Sequence, residues 1–152
     1  MSETVDLLAP RTVRLERRFG ASPSRVYRCL TDPEELTRWF PERVEGSIAA
    51  GTRSVLVFPE TRTWWDVSVL QSDRRFEFAW PWGPDEAYLT HVRIALAPAG
   101  AGTRLVLEDG PFDLRLPGIF DAYVEATEGW SEALAFLRAW VDFSVEIRSR
   151  RY

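Results

Sequence analysis

The feature that most constrains the fold of this sequence is that the spacing of its apolar residues changes repeatedly along the chain. Residues 12–19 alternate between apolar and polar side chains, which is the pattern of a half-buried strand. Alternation returns from residue 42 to residue 109, and from about 118 to the mid-140s the apolar positions follow helical spacing. The long helix needs a large partner for its apolar face, and the strands are the candidate. This order predicts an α+β fold.

Two short helices are predicted between the first strand and the others. The dipeptides Ser-Pro at 22–23 and Asp-Pro at 32–33 each place a capping side chain before a proline. Proline is well tolerated at the first helical position, so each dipeptide marks a helix start. The second helix carries Trp39 and Phe40 and is stopped by Pro41. We interpret this helical elbow as a support for the long helix, with the aromatic pair forming part of a cavity wall.

The middle of the chain predicts an antiparallel meander with one covered face. Short turn sequences, among them PWGPDE at 81–86, separate the predicted strands. These strands span residues 42–47, 52–58, 63–71, 74–80, 87–96 and 103–109. With the first strand, they are expected to form a curved sheet in whose concavity the long helix lies, while the elbow props one end. Gly129 within that helix suggests a close neighbour, a bend, or a gap that reaches the helix backbone.

Length and composition restrict the function classes. A chain of 152 residues suits one domain, which we expect over 11–147 with a flexible lead-in at 1–10 and a basic tail at 148–152. The net charge of −4 gives no reason to expect nucleic-acid binding. A single His and a single Cys do not make an ordinary zinc site. No membrane span or signal peptide is evident, so we expect a cytoplasmic protein with no metal and no cofactor.

Aromatic and polar residues on the predicted inner face carry the remaining signal. Polar groups on a covered face need partners, and a mainly apolar wall with a few polar groups is typical of a ligand site. Asp109, at the end of a strand, fits a rim acid or a solvated carboxylate equally well. His91 falls on the outer face, and Cys29 is expected to be a small buried residue. The predicted ligand-binding residues are Trp39, Phe58, Trp65, Phe78, Trp80, Tyr88, Thr90, Asp109, Tyr123, Thr127 and Trp130.

Four segments of the sequence are similar to a known family, namely residues 16–40, 74–80, 100–109 and 128–137. They resemble the START-like superfamily with its helix-grip fold (also called SRPBCC or Bet v-like). Within it they are most similar to the AHSA-type domains, named after the activator of heat-shock protein 90 ATPase. The resemblance implies a seven-stranded sheet wrapped around the last helix, with a pocket between them. In relatives that pocket holds sterols, lipids, polyketides or other apolar molecules.

We therefore expect this chain, as a monomer or homodimer, to bind a small apolar or aromatic molecule in an internal cavity. One alternative is a cyclase or dehydratase, because a few relatives catalyse such reactions. It would need an acid or base in the cavity, for which only Asp109, Tyr88, Tyr123 and Arg17 are available, and we predict no catalytic residue. Another alternative is a co-chaperone that acts through its surface on a chaperone ATPase. We expect this less, because the sequence lacks the additional N-terminal domain of the namesake activator.

Overall fold

The computed structural model describes residues 6–147, and its elements follow the order predicted from the sequence. The seven strands are β1 Arg11–Phe19, β2 Arg43–Glu45, β3 Arg53–Val57, β4 Arg62–Gln71, β5 Arg75–Trp82, β6 Tyr88–Ala99 and β7 Gly102–Phe112. The helices are α1 Pro23–Thr31, α2 Pro33–Leu36 and α3 Ile119–Phe143, and a single 3-10 turn spans Pro84–Glu86. The predicted α+β helix-grip fold is confirmed. The predicted tail at 148–152 and the first half of the lead-in lie outside the described residues.

The strands form one antiparallel sheet in the order β1-β7-β6-β5-β4-β3-β2. Its inner face packs against α3, and the core runs between the two. The register shifts in β4 between Val67 and Val69, and also between β1 and the end of β7. Such bulges bend the strands that contain them, which helps a sheet to curve. Among the described residues, no helix is both long enough and apolar enough to cross a membrane.

Both predicted helix caps are present in the elbow. The Ser22 hydroxyl accepts a hydrogen bond from the backbone N–H of Arg25 at 3.3 Å, and the Asp32 carboxylate accepts one from that of Glu34 at 3.0 Å. The second helix is shorter than predicted, since α2 ends at Leu36 and a turn carries the chain to Phe40. This turn brings Phe40 against Trp130 of α3, with ring centroids 5.5 Å apart.

The elbow is tied to α3 through the carboxylate of Glu35. Its Oε1 accepts from Arg25 at 2.8 Å, and its Oε2 accepts from the indole of Trp140, on α3, at 2.7 Å. Burial raises the pKa of Glu35, but the hydrogen bonds from Arg25 and Trp140 outweigh it and hold the pKa below its usual value. The elbow is therefore fixed by a charged anchor as well as by its apolar residues, consistent with the support role inferred from the sequence.

One strand departs from its predicted length in a way that matters for function. β5 continues to Trp82, through the first part of the segment predicted as a turn, because Trp82 pairs with Tyr88 of β6. The proline at position 81 is tolerated within this strand end. The extension adds a second large aromatic residue beyond Trp80 to the same end of the sheet.

Candidate functional site

A pocket of about 670 Å³ opens between the elbow, the β3–β4 hairpin, the end of β5 and the middle of α3. Its volume falls within the range of pockets that hold small molecules. Seven of the lining residues are aromatic, and they come from all four of these segments: Trp39, Phe40, Phe58, Trp80, Trp82, Trp130 and Phe136. The remaining lining residues are Glu42, Pro59, Thr61, Glu125, Ala126, Gly129, Glu132 and Ala133.

Phe40 lies at the centre of the aromatic wall. Its ring stacks on Trp39, with centroids 5.1 Å apart, and on Trp130, with centroids 5.5 Å apart. It meets Phe58 edge-on at 5.3 Å and lies 6.3 Å from Trp80. Aromatic pairs at these separations attract one another beyond the area they bury. Phe40 thus joins the elbow, the hairpin, the sheet and the helix into one surface, as the sequence suggested for this aromatic pair.

The four tryptophans of the pocket all donate their indole N–H to groups of the protein that do not line it. Trp39 donates to the backbone oxygen of Cys29 at 2.9 Å, and Trp82 donates to the hydroxyl of Thr90 at 2.9 Å. Trp80 and Trp130 both donate to one carboxylate behind the wall. Since each indole has a single N–H, these rings present only carbon and π surface to the pocket.

That carboxylate belongs to Asp109, which is completely buried. Its Oδ2 accepts from Trp130 at 2.9 Å and from Trp80 at 3.3 Å. Burial raises the pKa of Asp109, while hydrogen bonding from Thr90 and the two indoles opposes that rise. The predictions of a rim acid or a solvated carboxylate are both wrong, because the strand carries the side chain inward between two indoles. Asp109 holds the tryptophans in place and does not line the pocket.

The helix side of the pocket includes three small residues. Ala126, Gly129 and Ala133 line it at helical spacing around Trp130. A β-carbon added to Gly129 would meet no atom within 4 Å, so the predicted close neighbour at this glycine is wrong. The gap does reach the helix backbone at Gly129, as the sequence suggested. Small residues on α3 opposite large rings on the sheet leave the space unfilled.

The polar part of the lining lies at the mouth. Glu42 follows the elbow, Glu125 and Glu132 lie on α3, and all three side chains are exposed. Thr61, in the β3–β4 hairpin, adds an exposed hydroxyl. The lining includes no Arg and no His from the part of the chain that the structure describes. The mouth therefore offers mainly hydrogen-bond acceptors with negative charge.

Of the eleven residues predicted for ligand binding, the structure brings four together in the pocket: Trp39, Phe58, Trp80 and Trp130. Trp65 and Phe78 are buried core residues behind this wall, with ring centroids 4.5 Å apart. The indole N–H of Trp65 is buried with no hydrogen-bond partner among residues 6–147. The remaining five comprise Asp109 and four residues that lie away from the pocket: Tyr88, Thr90, Tyr123 and Thr127.

Local partners account for three of those four polar side chains, Tyr88, Thr90 and Thr127. The Tyr88 hydroxyl donates to the Pro111 carbonyl at 2.5 Å, and the Thr127 hydroxyl donates to the Tyr123 carbonyl at 2.9 Å. The Thr90 hydroxyl accepts the hydrogen bond from the Trp82 indole that was described above. These three hydroxyls did find partners, as expected, but the partners are the backbone and Trp82. The pocket is therefore displaced toward the elbow from its predicted position.

Sequence reasoning missed three kinds of lining residue. Trp82 fell in a predicted turn, and Phe136 was not assigned to any site. The acids at the mouth, Glu42, Glu125 and Glu132, were not assigned to any site. One available signal was the recurrence of small residues at 126, 129 and 133 around Trp130, which marks a helix face that cannot fill the space opposite it.

Two residues outside the pocket were also assigned from the sequence. Cys29 is buried as predicted, and burial raises the pKa of its thiol to about 12, so it is held as the neutral thiol. His91 faces the outer side of the sheet as predicted, but it is not simply solvated, since its Nε2 lies 2.8 Å from Glu77. Within residues 6–147 no group of three potential metal ligands is present.

The family model described as "Activator of Hsp90 ATPase homolog 1-like protein" matches residues 20–142. No curated protein matches the sequence. Among solved structures, the chain is similar to the protein MLL2253 from Mesorhizobium loti, with a TM-score of 0.75 and 22% identity over 93% of this chain and 99% of that one. It is also similar to the Aha1 dimer from Colwellia psychrerythraea, with a TM-score of 0.76 and 16% identity over 88% and 97%.

A further similar structure is CalU16 from Micromonospora echinospora, with a TM-score of 0.72 and 24% identity over 93% of this chain and 82% of that one. At these identities the solved structures establish a shared fold. The match of the family model covers the elbow, β2 to β7 and nearly all of α3, and so includes every segment that lines the pocket.

Proposed function

The chain belongs to the family of activator of Hsp90 ATPase homolog 1-like proteins, and we propose that it binds a small apolar or aromatic molecule in the pocket beside Phe40. The observation that carries this proposal is the composition of the wall. Seven aromatic residues surround about 670 Å³, and all four indole N–H groups are committed to the protein. Ligand binding to such a surface is favoured mainly by the removal of apolar ligand surface from water and by contacts between rings.

Gly129 gives independent support. A glycine inside a helix costs about 1 kcal/mol relative to alanine, and here no neighbouring atom requires its small size. Retaining glycine at this position keeps the pocket open to the helix backbone at a cost in stability. Stability given up at one position is common where a site needs a particular shape.

The two alternative functions receive less support from this site. A cyclase or dehydratase needs an acid or base that reaches its substrate. Of the candidates named from the sequence, Asp109, Tyr88 and Tyr123 do not line the pocket, and Arg17 directs its guanidinium to the backbone of Glu16. The glutamates that do line it lie at the exposed mouth and not against the aromatic wall. A co-chaperone acting through its surface, the activity in the family's name, would leave the aromatic pocket without a role. Binding accounts for the pocket and is therefore our first proposal.

The test is a pair of bulky substitutions on α3. Gly129→Phe places a ring in the open space of the pocket, whereas Ala135→Phe places the same ring on an exposed position of α3 that does not line it. Binding of the uncharged probe naphthalenemethanol would be followed by calorimetry and by quenching of tryptophan fluorescence. We expect Gly129→Phe to abolish binding and Ala135→Phe to leave it unchanged, with both proteins folded by circular dichroism. Equal binding by all three proteins would refute the proposal.

A further inference from the structure

The polar side chains that line the pocket include more hydrogen-bond acceptors than free donors. Its lining includes three glutamate side chains and one threonine hydroxyl, while the four indole donors are used within the protein. Apart from the hydroxyl of Thr61, the lining of the described chain contains no side-chain donor for a ligand. A ligand that makes polar contacts with the side chains at this mouth must therefore donate hydrogen bonds.

The charges around the pocket also favour a ligand that carries a positive charge. Glu42, Glu125 and Glu132 place negative charge at the mouth, and the Asp109 carboxyl lies directly behind the Trp80 and Trp130 rings. When ionised, Asp109 acts through a buried, weakly screened environment, unlike the exposed glutamates. With Asp109 ionised, the deep wall and the mouth carry charge of the same sign.

The arginines next to lining residues in the sequence form ion pairs outside the pocket. Arg43 and Arg62 both pair with Glu45, at 3.0 Å and 2.6 Å, and Arg38 pairs with Glu146 at 2.7 Å. None of these three arginines lines the pocket. All three pair with carboxylates outside the lining, and Arg43 and Arg62 share that of Glu45, so none of these ion pairs uses an acid of the mouth.

The aromatic wall itself favours positive charge. The faces of indole and phenyl rings carry negative electrostatic potential, and a cation near them gains about 0.5–2 kcal/mol, most of all next to Trp. An indole whose N–H donates to a carboxylate is polarised so that its ring becomes more electron-rich, and two rings of this wall are in that situation. Aromatic rings combined with carboxylates form a common arrangement for binding ammonium groups.

We propose that the natural occupant is an aromatic or aliphatic amine that carries a positive charge, with its apolar part against the aromatic wall and its ammonium group near Glu42 and Glu125. This proposal rests on the proposed binding function and names its ligand class. The same arrangement disfavours fatty acids and other carboxylates, because they would bring a second negative charge to an acidic mouth.

Three probes of similar size and different charge test the proposal by calorimetry: naphthylmethylamine, naphthalenemethanol and naphthoate. We expect the amine to bind about tenfold more tightly than the alcohol at low salt, an advantage that salt reduces, and naphthoate to bind most weakly. Equal affinity for amine and alcohol, or tighter binding of naphthoate, would overturn the amine proposal while leaving the binding function intact. If none of the probes binds, both proposals fail.

Matched charge variants then locate the effect. The double variant Glu42→Gln with Glu125→Gln removes two carboxylates from the mouth. The control, Asp121→Asn with Glu128→Gln, removes two exposed carboxylates from α3 that do not line the pocket. We expect only the mouth variant to bring the affinity of the amine to within about threefold of that of the alcohol. If both variants weaken amine binding equally, the preference comes from net charge and the proposed ammonium position is wrong.

Discussion

The two ends of the interface between α3 and the sheet are built from similar residues but pack differently. At the closed end, which we define by Thr90, Phe112, Ile119 and Tyr123, large side chains from both sides meet. Phe112 is fully buried, and its ring lies 5.7 Å from that of Tyr123. At the pocket end, the sheet is equally aromatic, but α3 places Ala126, Gly129 and Ala133 around Trp130. These three small helix residues leave space that the large rings beside them do not fill.

This contrast shows why alternation alone could not position the site. The pattern in β5 and β6 assigns inward positions correctly, so Trp80, Thr90 and Val92 are all buried. An inward position lines a pocket only if the helix residues around it leave space unfilled. That second condition depends on which turn of α3 faces which strand, and this register is not visible in either segment separately.

The largest change in the free energy of unfolding is expected when one phenylalanine from each end is replaced by alanine and the two variants are compared. Phe112→Ala should lower the free energy of unfolding by about 3–5 kcal/mol, because it removes a ring packed on all sides. Phe58→Ala should cost only about 1–2 kcal/mol, because this ring is partly exposed and borders space that is already open. Urea denaturation of both variants measures the difference. Equal losses would mean that the pocket end is packed as tightly as the closed end.

The fold was predictable because each of its determinants is local in sequence. Proline-started caps at residues 22 and 32 and the change from alternation to helical spacing gave the element order, and the structure confirms it. The environment of Asp109 was not predictable. Its burial depends on two tryptophans from other elements, 29 and 21 residues away in the sequence, that donate to the same oxygen. Such a three-way contact exists only in the folded chain.

Asp109 joins the pocket wall to the core. Its replacement should cause the next largest change in the free energy of unfolding. Asp109→Ala leaves two buried indole N–H groups without an acceptor, at about 1–3 kcal/mol each, partly offset by removal of a buried carboxyl. We expect a net loss of about 2–4 kcal/mol in denaturation experiments. Asp109→Asn keeps a carbonyl oxygen in place and should lose less than half as much. If the two variants were equally unstable, the carboxylate charge rather than its role as an acceptor would be responsible.

The pH dependence of stability should separate the pocket wall from the elbow, since the pKa values of buried Asp109 and partly buried Glu35 are shifted in opposite directions. The pKa of Asp109 is raised above 3.8 by burial, so its contribution is fully present below that value and is lost as pH rises through the folded pKa. The pKa of Glu35 is lowered below 4.5, so its contribution is present above that value and is lost as pH falls through the folded pKa.

Difference measurements against Asp109→Asn and Glu35→Gln isolate these contributions from the other titrating groups. Unfolding free energies would be measured from below pH 3.8 to neutrality. Relative to Asp109→Asn, the parent protein should lose stability as pH rises. Relative to Glu35→Gln, it should lose stability as pH falls. Slopes of the same sign for both carboxyls would show that one of them is not in the environment described here.

The smallest change in the free energy of unfolding is expected at Gly129. It tests whether the open pocket makes the protein less stable. Gly129→Ala adds a methyl group where no atom lies within 4 Å, so it should raise the free energy of unfolding by about 1 kcal/mol. The reverse change at an exposed position outside the pocket, Ala135→Gly, should lower it by about the same amount. The pair therefore measures helix propensity at two positions of one helix. If Gly129→Ala were destabilising instead, some group would have to occupy the space beside it. If it is stabilising but weakens the binding of naphthalenemethanol, the glycine serves ligand access at the expense of the helix.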